Sequence, residues 1–145
     1  MTTTPFQSPD PSYSQRVLAS FQQQTVMAAI GASVLSVAPG VVEIELPFRA
    51  DLCQQDGFLH AGIVTAIVDS ACGYAAYTLM PDGARVLSVE FKINFLAPAV
   101  GNRFIARGRV ARAGRTFTVC TGEVVALSGD TERAIALMQA TMMAV

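Results

Sequence analysis

The chain has 145 residues, 52% of them hydrophobic and only 14% charged, with a formal net charge of -1. That length suits one domain able to bury a core without disulfide or metal support, and the near-neutral charge excludes a general affinity for nucleic acid or an anionic membrane surface. No apolar run reaches the length needed to span a bilayer, and the start MTTTPFQSPDPSYSQ carries neither the basic nor the hydrophobic region of a secretory signal, so a cytoplasmic protein is expected.

Residues 1–11, rich in Thr, Pro and Ser, read as a flexible N-terminal arm, with a single domain over 12–145. Ser12 or Ser14 is placed to cap a helix over SYSQRVLASFQQQTVMAAI, which Gly31 stops. SVLSVAPGVVEIELPF alternates apolar and polar residues on both sides of Pro39-Gly40 and predicts a hairpin. RADLCQQDGFL is aperiodic and reads as a loop leading into a long helix from about His60 to Leu79, ended by Pro81-Asp82-Gly83. In VLSVEFKINFL the period becomes two, with Leu87, Val89, Phe91, Ile93 and Phe95 expected on one face and Ser88, Glu90, Lys92 and Asn94 on the other. Strands over about 102–111, 116–127 and 134–143 follow, joined by turns too short for crossovers. The pattern predicts an α+β domain in which one long helix packs on one antiparallel sheet of about six strands.

The central helix poses a chemical question. Asp69 sits near its middle, yet no lysine or arginine occurs from Ala50 through Ala84. The simplest reading is a solvated helix residue. However, Asp69 shares a stripe with Gly62, Ala66, Gly73 and Ala76, and a face of small residues admits a backbone or a ligand at close range. A desolvated carboxylate without a cation has its pKa pushed upward, which suits a general base or a nucleophile. His60, the only histidine, cannot form a metal site alone. Cys53, Cys72 and Cys120 are odd in number and lack CxxC spacing, so reduced thiols are expected and no disulfide framework. The helix start has backbone N–H groups without intrahelical partners, suited to a developing oxyanion. Ala61 and Asp69 lie eight residues apart, or about 12 Å along a straight helix at 1.5 Å per residue. One reacting carbonyl cannot touch both. If the helix start polarises it and Asp69 directs the attack, the acid must come from a second copy of the chain, and the surplus of apolar residues already asks for such a partner.

The stretch QQDGFLHAGIVTAIVD resembles the hotdog-fold acyl-CoA thioesterases of the phenylacetate-pathway (PaaI-like) branch: an amide residue, then G-x-x-H-G-G, then an acid nine positions after the histidine. SVEFKINFLAPA is similar to the strand that follows the helix in that family, and the likeness runs from about Gly31 to Met143. It implies a hotdog fold and a homodimer, or a tetramer of paired dimers, with sites at the subunit boundary, hydrolysing an acyl-CoA thioester without a metal or other cofactor, coenzyme A being part of the substrate. In that likeness Asp69 activates water or attacks the carbonyl carbon. The N–H of Ala61, followed by Gly62, holds the carbonyl oxygen, and Gln54 stands where asparagine is usual and polarises the carbonyl or orients water. His60 shapes the loop, and Ser88 matches a hydroxyl that positions water. Ala61 replaces the first glycine of the pair and adds a methyl group, and Gln54 is one methylene longer than asparagine. Since simple alternation puts Ser88 opposite the apolar face of its strand, its role requires a bulge or an edge position.

Arg103, Arg107, Arg109, Arg112 and Arg115 crowd one hairpin. They read either as a solvated strand face and turn or, for Arg112 and Arg115, as contacts to coenzyme A phosphates. Two rival readings accompany the thioesterase: a non-catalytic acyl-CoA-binding hotdog domain and a hotdog enoyl-CoA hydratase or dehydratase, which would want a histidine paired with an acid across the site.

Overall fold

The computed structural model describes residues 5–145. Helix α1 (Tyr13–Gln23) and the short helix α2 (Thr25–Ile30) precede a hairpin of β1 (Ser33–Ala38) and β2 (Val41–Pro47). A 3-10 turn over Ala50–Leu52 leads to the central helix α3 (Ala61–Tyr77), followed by β3 (Val86–Phe95), β4 (Arg103–Ala113), β5 (Phe117–Ser128) and β6 (Thr131–Ala144). The six strands form one antiparallel sheet in the order β1-β2-β4-β5-β6-β3, with α3 lying against its inner face.

The expected layout is present, with two local corrections. The N-terminal helix does not run unbroken to Gly31. Gln24 adopts an extended conformation and divides it, accepting hydrogen bonds at its carbonyl from the N–H groups of Met27 and Ala28. Its side chain explains the break, because Nε2 donates to the Tyr74 hydroxyl (2.9 Å) while Oε1 accepts from the Ser70 hydroxyl (3.4 Å). Tertiary hydrogen bonds to α3 outweigh a helical propensity worth only tenths of a kcal/mol per residue (~0.5).

The second correction concerns β3. Its pairing with β6 shifts register between Ser88 and Glu90, a bulge centred on Val89. Paired residues share a face of the sheet. Ser88 therefore points inward with the buried Met142, as Phe91, Ile93 and Phe95 do with Ala140, Met138 and Ala136, whereas Leu87 turns outward with Met143. The extra residue brings Ser88 and the later apolar residues to one face, which strict alternation forbids.

Helix α3 comes unusually near the sheet. Gly108 on β4 and Gly122 on β5 are paired neighbours, both facing inward. A methyl group at Gly108 would lie 2.3 Å from the Ala71 carbonyl and 2.5 Å from the Cys72 nitrogen, and one at Gly122 would lie 2.6 Å from Val68 and 2.9 Å from the Cys72 sulfur. The helix answers with Val64, Val68, Ala71, Cys72 and Ala75, all buried. Gly62, Ala66, Asp69 and Gly73 form an adjacent side that stays partly open.

Arg16 fastens α1 over the far end of α3. Its guanidinium donates to the carbonyls of Met80 (2.8 Å) and Tyr77 (3.2 Å), pairs with Asp10 (2.8 Å) and lies 4.2 Å above the Tyr77 ring. On the outer face of the sheet, Arg107 bridges Glu43, Glu123 and Glu132, and Arg103 pairs with Glu45. Cys53, Cys72 and Cys120 are free thiols, and burial pushes Cys120 up to about 12.

The seat of α3 is directly testable. Because the obstructing atoms at Gly108 are backbone, Gly108→Ala should cost about 3 kcal/mol, the upper part of the range for overpacking. In thermal denaturation that loss reads as a fall of about 10 °C in Tm for a chain of this size. Gly73→Ala is the control: its methyl group meets only the Met142 sulfur, at 4.0 Å, so Tm should hold or rise by a few degrees.

Candidate active site

The loop before α3 is drawn into shape by its own polar groups. The Gln54 N–H donates to the Phe58 carbonyl (2.8 Å), Cys53 and Leu59 form an isolated bridge, and Gly57 turns the chain at a φ of +85° that favours glycine. The Gln54 side chain lies within this turn. Its Oε1 accepts from the N–H groups of Asp56 (2.6 Å) and Phe58 (3.2 Å), and its Nε2 reaches Asp56 Oδ2 at 3.4 Å.

His60 is the N-cap of α3. Its own N–H donates to the Leu52 carbonyl (2.9 Å), and its Nδ1 accepts the N–H of Gly62 (2.8 Å), so the ring is held as a helix cap. The N–H groups of Ile63 and Val64 both donate to the His60 carbonyl. In this first turn the Ala61 N–H has no protein acceptor among the described residues. It sits at the positive end of the helix dipole, free to bind an incoming oxygen.

About two turns further along the helix lies Asp69, half-buried on the open side of α3. Its Oδ1 accepts the hydroxyl proton of Ser88 at 2.8 Å, and the bulge in β3 is what brings that hydroxyl inward. Burial pushes the carboxyl above its ordinary value, and the Ser88 hydrogen bond, which favours the charged form, partly restrains the rise. No cation among the described residues pairs with it. The acid is thus partly desolvated, oriented by one hydroxyl and unpaired, the state in which a carboxylate acts as a base or nucleophile.

The two groups of residues occupy different clefts. Asp69 and Ser88 line one of about 310 Å³ between α1, α3 and the start of β3, whose walls include Ser20, Gln24, Ser70, Gly73, Tyr74 and Arg85. Gln54 and Ala61 line a second of about 440 Å³, floored by Leu59, Val64, Ala99 and Ile135 and edged by Phe58, Phe95 and Leu96. Asp69 and Ala61 share no cleft in one chain, in keeping with a separation of about 12 Å on the helix. Arg112 and Arg115 stand exposed at the β4–β5 turn and line neither cleft, and neither has an ionic partner among the described residues.

Several lining residues escaped the sequence reading. Arg85 is the first cation after the basic-free stretch 50–84 and stands three positions before Ser88, a signal present but unused. Gln24, Ser20 and Tyr74 had no such signal, for their convergence depends on how α1 crosses α3.

Comparison with known proteins bears on the fold and the family. A family model described as the Thioesterase superfamily matches residues 56–132, more than half of the chain, from just before α3 into the start of β6. A crystal structure of a thioesterase family protein from Silicibacter pomeroyi is 53% identical, superposes with a TM-score of 0.90, and covers 92% of this chain and 98% of that one. The Escherichia coli PaaI protein of the phenylacetic acid degradation operon, at 19% identity, shares the fold alone: TM-score 0.83, over 92% of this chain and 94% of that one. A Saccharolobus solfataricus protein named as a candidate esterase is 34% identical over 86 residues, which span 59% of this chain and 61% of that protein's length. With its long helix seated on a six-stranded antiparallel sheet, the chain has the hotdog fold and belongs to the thioesterase superfamily.

Proposed function

We propose that the protein hydrolyses acyl-CoA thioesters as a homodimer, with each active site assembled from the helix start of one chain and the carboxylate of the other. The observation that carries this reading is the division of the candidate groups between two separate clefts of one chain, an unpartnered Ala61 N–H in one and the unpaired, partly desolvated Asp69 in the other. Two antiparallel copies of α3 would set each half against its complement. The outer edge of β3 supports such pairing. It is an end strand of the sheet with Leu87, Val89, Phe91 and Phe95 exposed, the kind of long apolar edge that folded chains cover.

In this arrangement the thioester carbonyl oxygen accepts the Ala61 N–H, helped by the helix dipole, and the Gln54 amide at the rim of the same cleft supplies a further donor. Asp69 of the other chain takes a proton from water as the oxygen attacks the carbonyl carbon. The tetrahedral intermediate collapses by breaking the C–S bond, and the thiolate leaves and takes up a proton as free coenzyme A. The alternative course, in which a carboxylate oxygen of Asp69 attacks first and water then hydrolyses the anhydride, uses the same residues. Ser88 orients the carboxylate in both, and His60 acts by holding the helix cap. The acyl group fits the apolar cleft beside Ala61, bounded by the helix and the inner face of the sheet. A hydratase is disfavoured, since the His60 Nδ1 accepts the Gly62 N–H and is engaged in capping.

Removing the base while keeping its shape, as in Asp69→Asn, should cut thiol release from acyl-CoA by about a thousandfold with the dimer intact. The same change should raise Tm at neutral pH. The folded-state pKa is raised, so the ionised acid costs stability above that pKa, and the gain should vanish below the unfolded value of 3.8. Ser88→Ala removes the bond that favours the charged form, so the acid limb of the pH–rate profile should move to higher pH. Assembly across two chains has its own test. Ala61→Pro deletes the N–H at the first helical position, where proline is tolerated, and should be inactive. An equimolar mixture of Asp69→Asn and Ala61→Pro should regain up to about a quarter of wild-type activity, because about half of the dimers are then mixed and each of these holds one intact site of two. Persistent inactivity in a mixture shown to contain the heterodimer would sink the shared site.

A further inference from the structure

We infer that the polar cleft beside Asp69 receives the carrier side of the thioester, and that Arg85 at its rim binds a phosphate of that carrier. This rests on the acyl-CoA reading and extends it to a residue that neither the family motif nor the arginine-rich hairpin points to.

The two clefts differ in chemistry in a way that assigns them. The one beside Ala61 is walled by Leu59, Phe95, Leu96 and Ile135 and carries no charged side chain. The one beside Asp69 is walled by hydroxyl and amide groups: the Tyr74 hydroxyl meets Ser20 Oγ at 3.2 Å and Gln24 Nε2 at 2.9 Å, and Ser70 reaches Gln24 Oε1 at 3.4 Å. A hydrocarbon placed there would strand polar groups away from water at a cost of about 1–3 kcal/mol each. A chain of amides would not, because the second hydrogen of the Gln24 amide and the unused lone pairs of the hydroxyls remain free to bond it.

Among the described residues, Arg85 is the one cation lining either cleft. Its backbone is clamped to Val145 by a reciprocal pair of hydrogen bonds of 2.8 and 2.9 Å, so the side chain projects from a fixed point. It has no ionic partner among the described residues, Asp69 included. Its guanidinium is thus left to an external anion. The register places it well: Ser88, Met142, Thr118 and Ala113 are paired in sequence across β3, β6, β5 and β4, so Arg85 shares the end of the sheet where Arg112 stands. A carrier leaving Asp69 through the polar cleft meets Arg85 at the rim.

The test uses the full-length protein and the exposed-site variant Arg85→Met. Binding of free coenzyme A, measured by calorimetry, should weaken about tenfold, and binding of pantetheine, which lacks the nucleotide phosphates, should not change. With thioesters, KM for acyl-CoA should rise by a similar factor at unchanged kcat, and acyl N-acetylcysteamine esters should be hydrolysed as by the wild type. Equal losses on the phosphate-free ligands, or no loss on coenzyme A, would overturn the inference. A loss confined to N-acetylcysteamine esters of dicarboxylic acids would also overturn it, by assigning Arg85 to an acyl carboxylate. If the wild type released no thiol from any ester, the catalytic reading would fall, while the coenzyme A binding comparison would still decide the role of Arg85.

Discussion

The whole arrangement depends on how closely α3 approaches the sheet at Gly108 and Gly122. Two paired glycines on adjacent strands leave a shallow seat, and Ala71 and Cys72 fit it with main-chain atoms almost in contact. Dispersion at such range is collectively large, and the fit fixes the rotation of the helix about its own axis as well as its depth. Rotation is what the chemistry needs. With Ala71 and Cys72 turned to the sheet, Asp69 and Gly73 are turned to the side, toward the inward-facing hydroxyl that the β3 bulge supplies. A helix seated a few ångströms higher would carry the same residues in the same order and would not bring the carboxylate to Ser88.

That placement leaves Asp69 between two regimes. Full exposure would leave it an ordinary carboxylate, and full burial without a partner would neutralise it. Instead it is half-buried, raised by desolvation and restrained by one hydrogen bond, with no cation to lock it in the charged form. The polar wall of its cleft comes from outside the hotdog core. Gln24 interrupts the N-terminal helix to reach Tyr74 and Ser70, and Arg16 ties α1 to the carbonyls at the end of α3. The segment before the sheet thereby shapes one side of the candidate site.

Much of this was legible in residue order. The period-two pattern of the late strands, the turn at Pro39-Gly40 and the largely apolar stretch from about His60 to Leu79 announced the elements and their sequence. An acid nine positions after a histidine on a helix of small residues marked the candidate groups, because helical geometry converts that spacing into distance without knowledge of the fold. The motif also located Ser88, though not its direction: strict alternation turned it away, and the bulge at Val89, invisible in a pattern of apolar residues, turned it back. The break at Gln24 was hidden for a related reason, since its driving force is hydrogen bonding to α3, 46 and 50 residues further along the chain.

Sequence alone determined what depends on local periodicity and on distance along one element: the helix, the strands, the acid without a nearby cation in sequence, the orphan donors at the helix start, and the length of helix that separates the two. Only the tertiary structure decided what depends on the meeting of distant segments. These are the glycine seat that orients α3, the inward turn of Ser88, the hydroxyl and amide wall built by the N-terminal helices, the two clefts of opposite polarity, and the pairing that leaves Arg85 without an acid of its own. The division has one physical cause: helix and strand geometry is set by neighbours within a few residues, whereas desolvation and close approach are set by whichever distant parts of the chain fold against them.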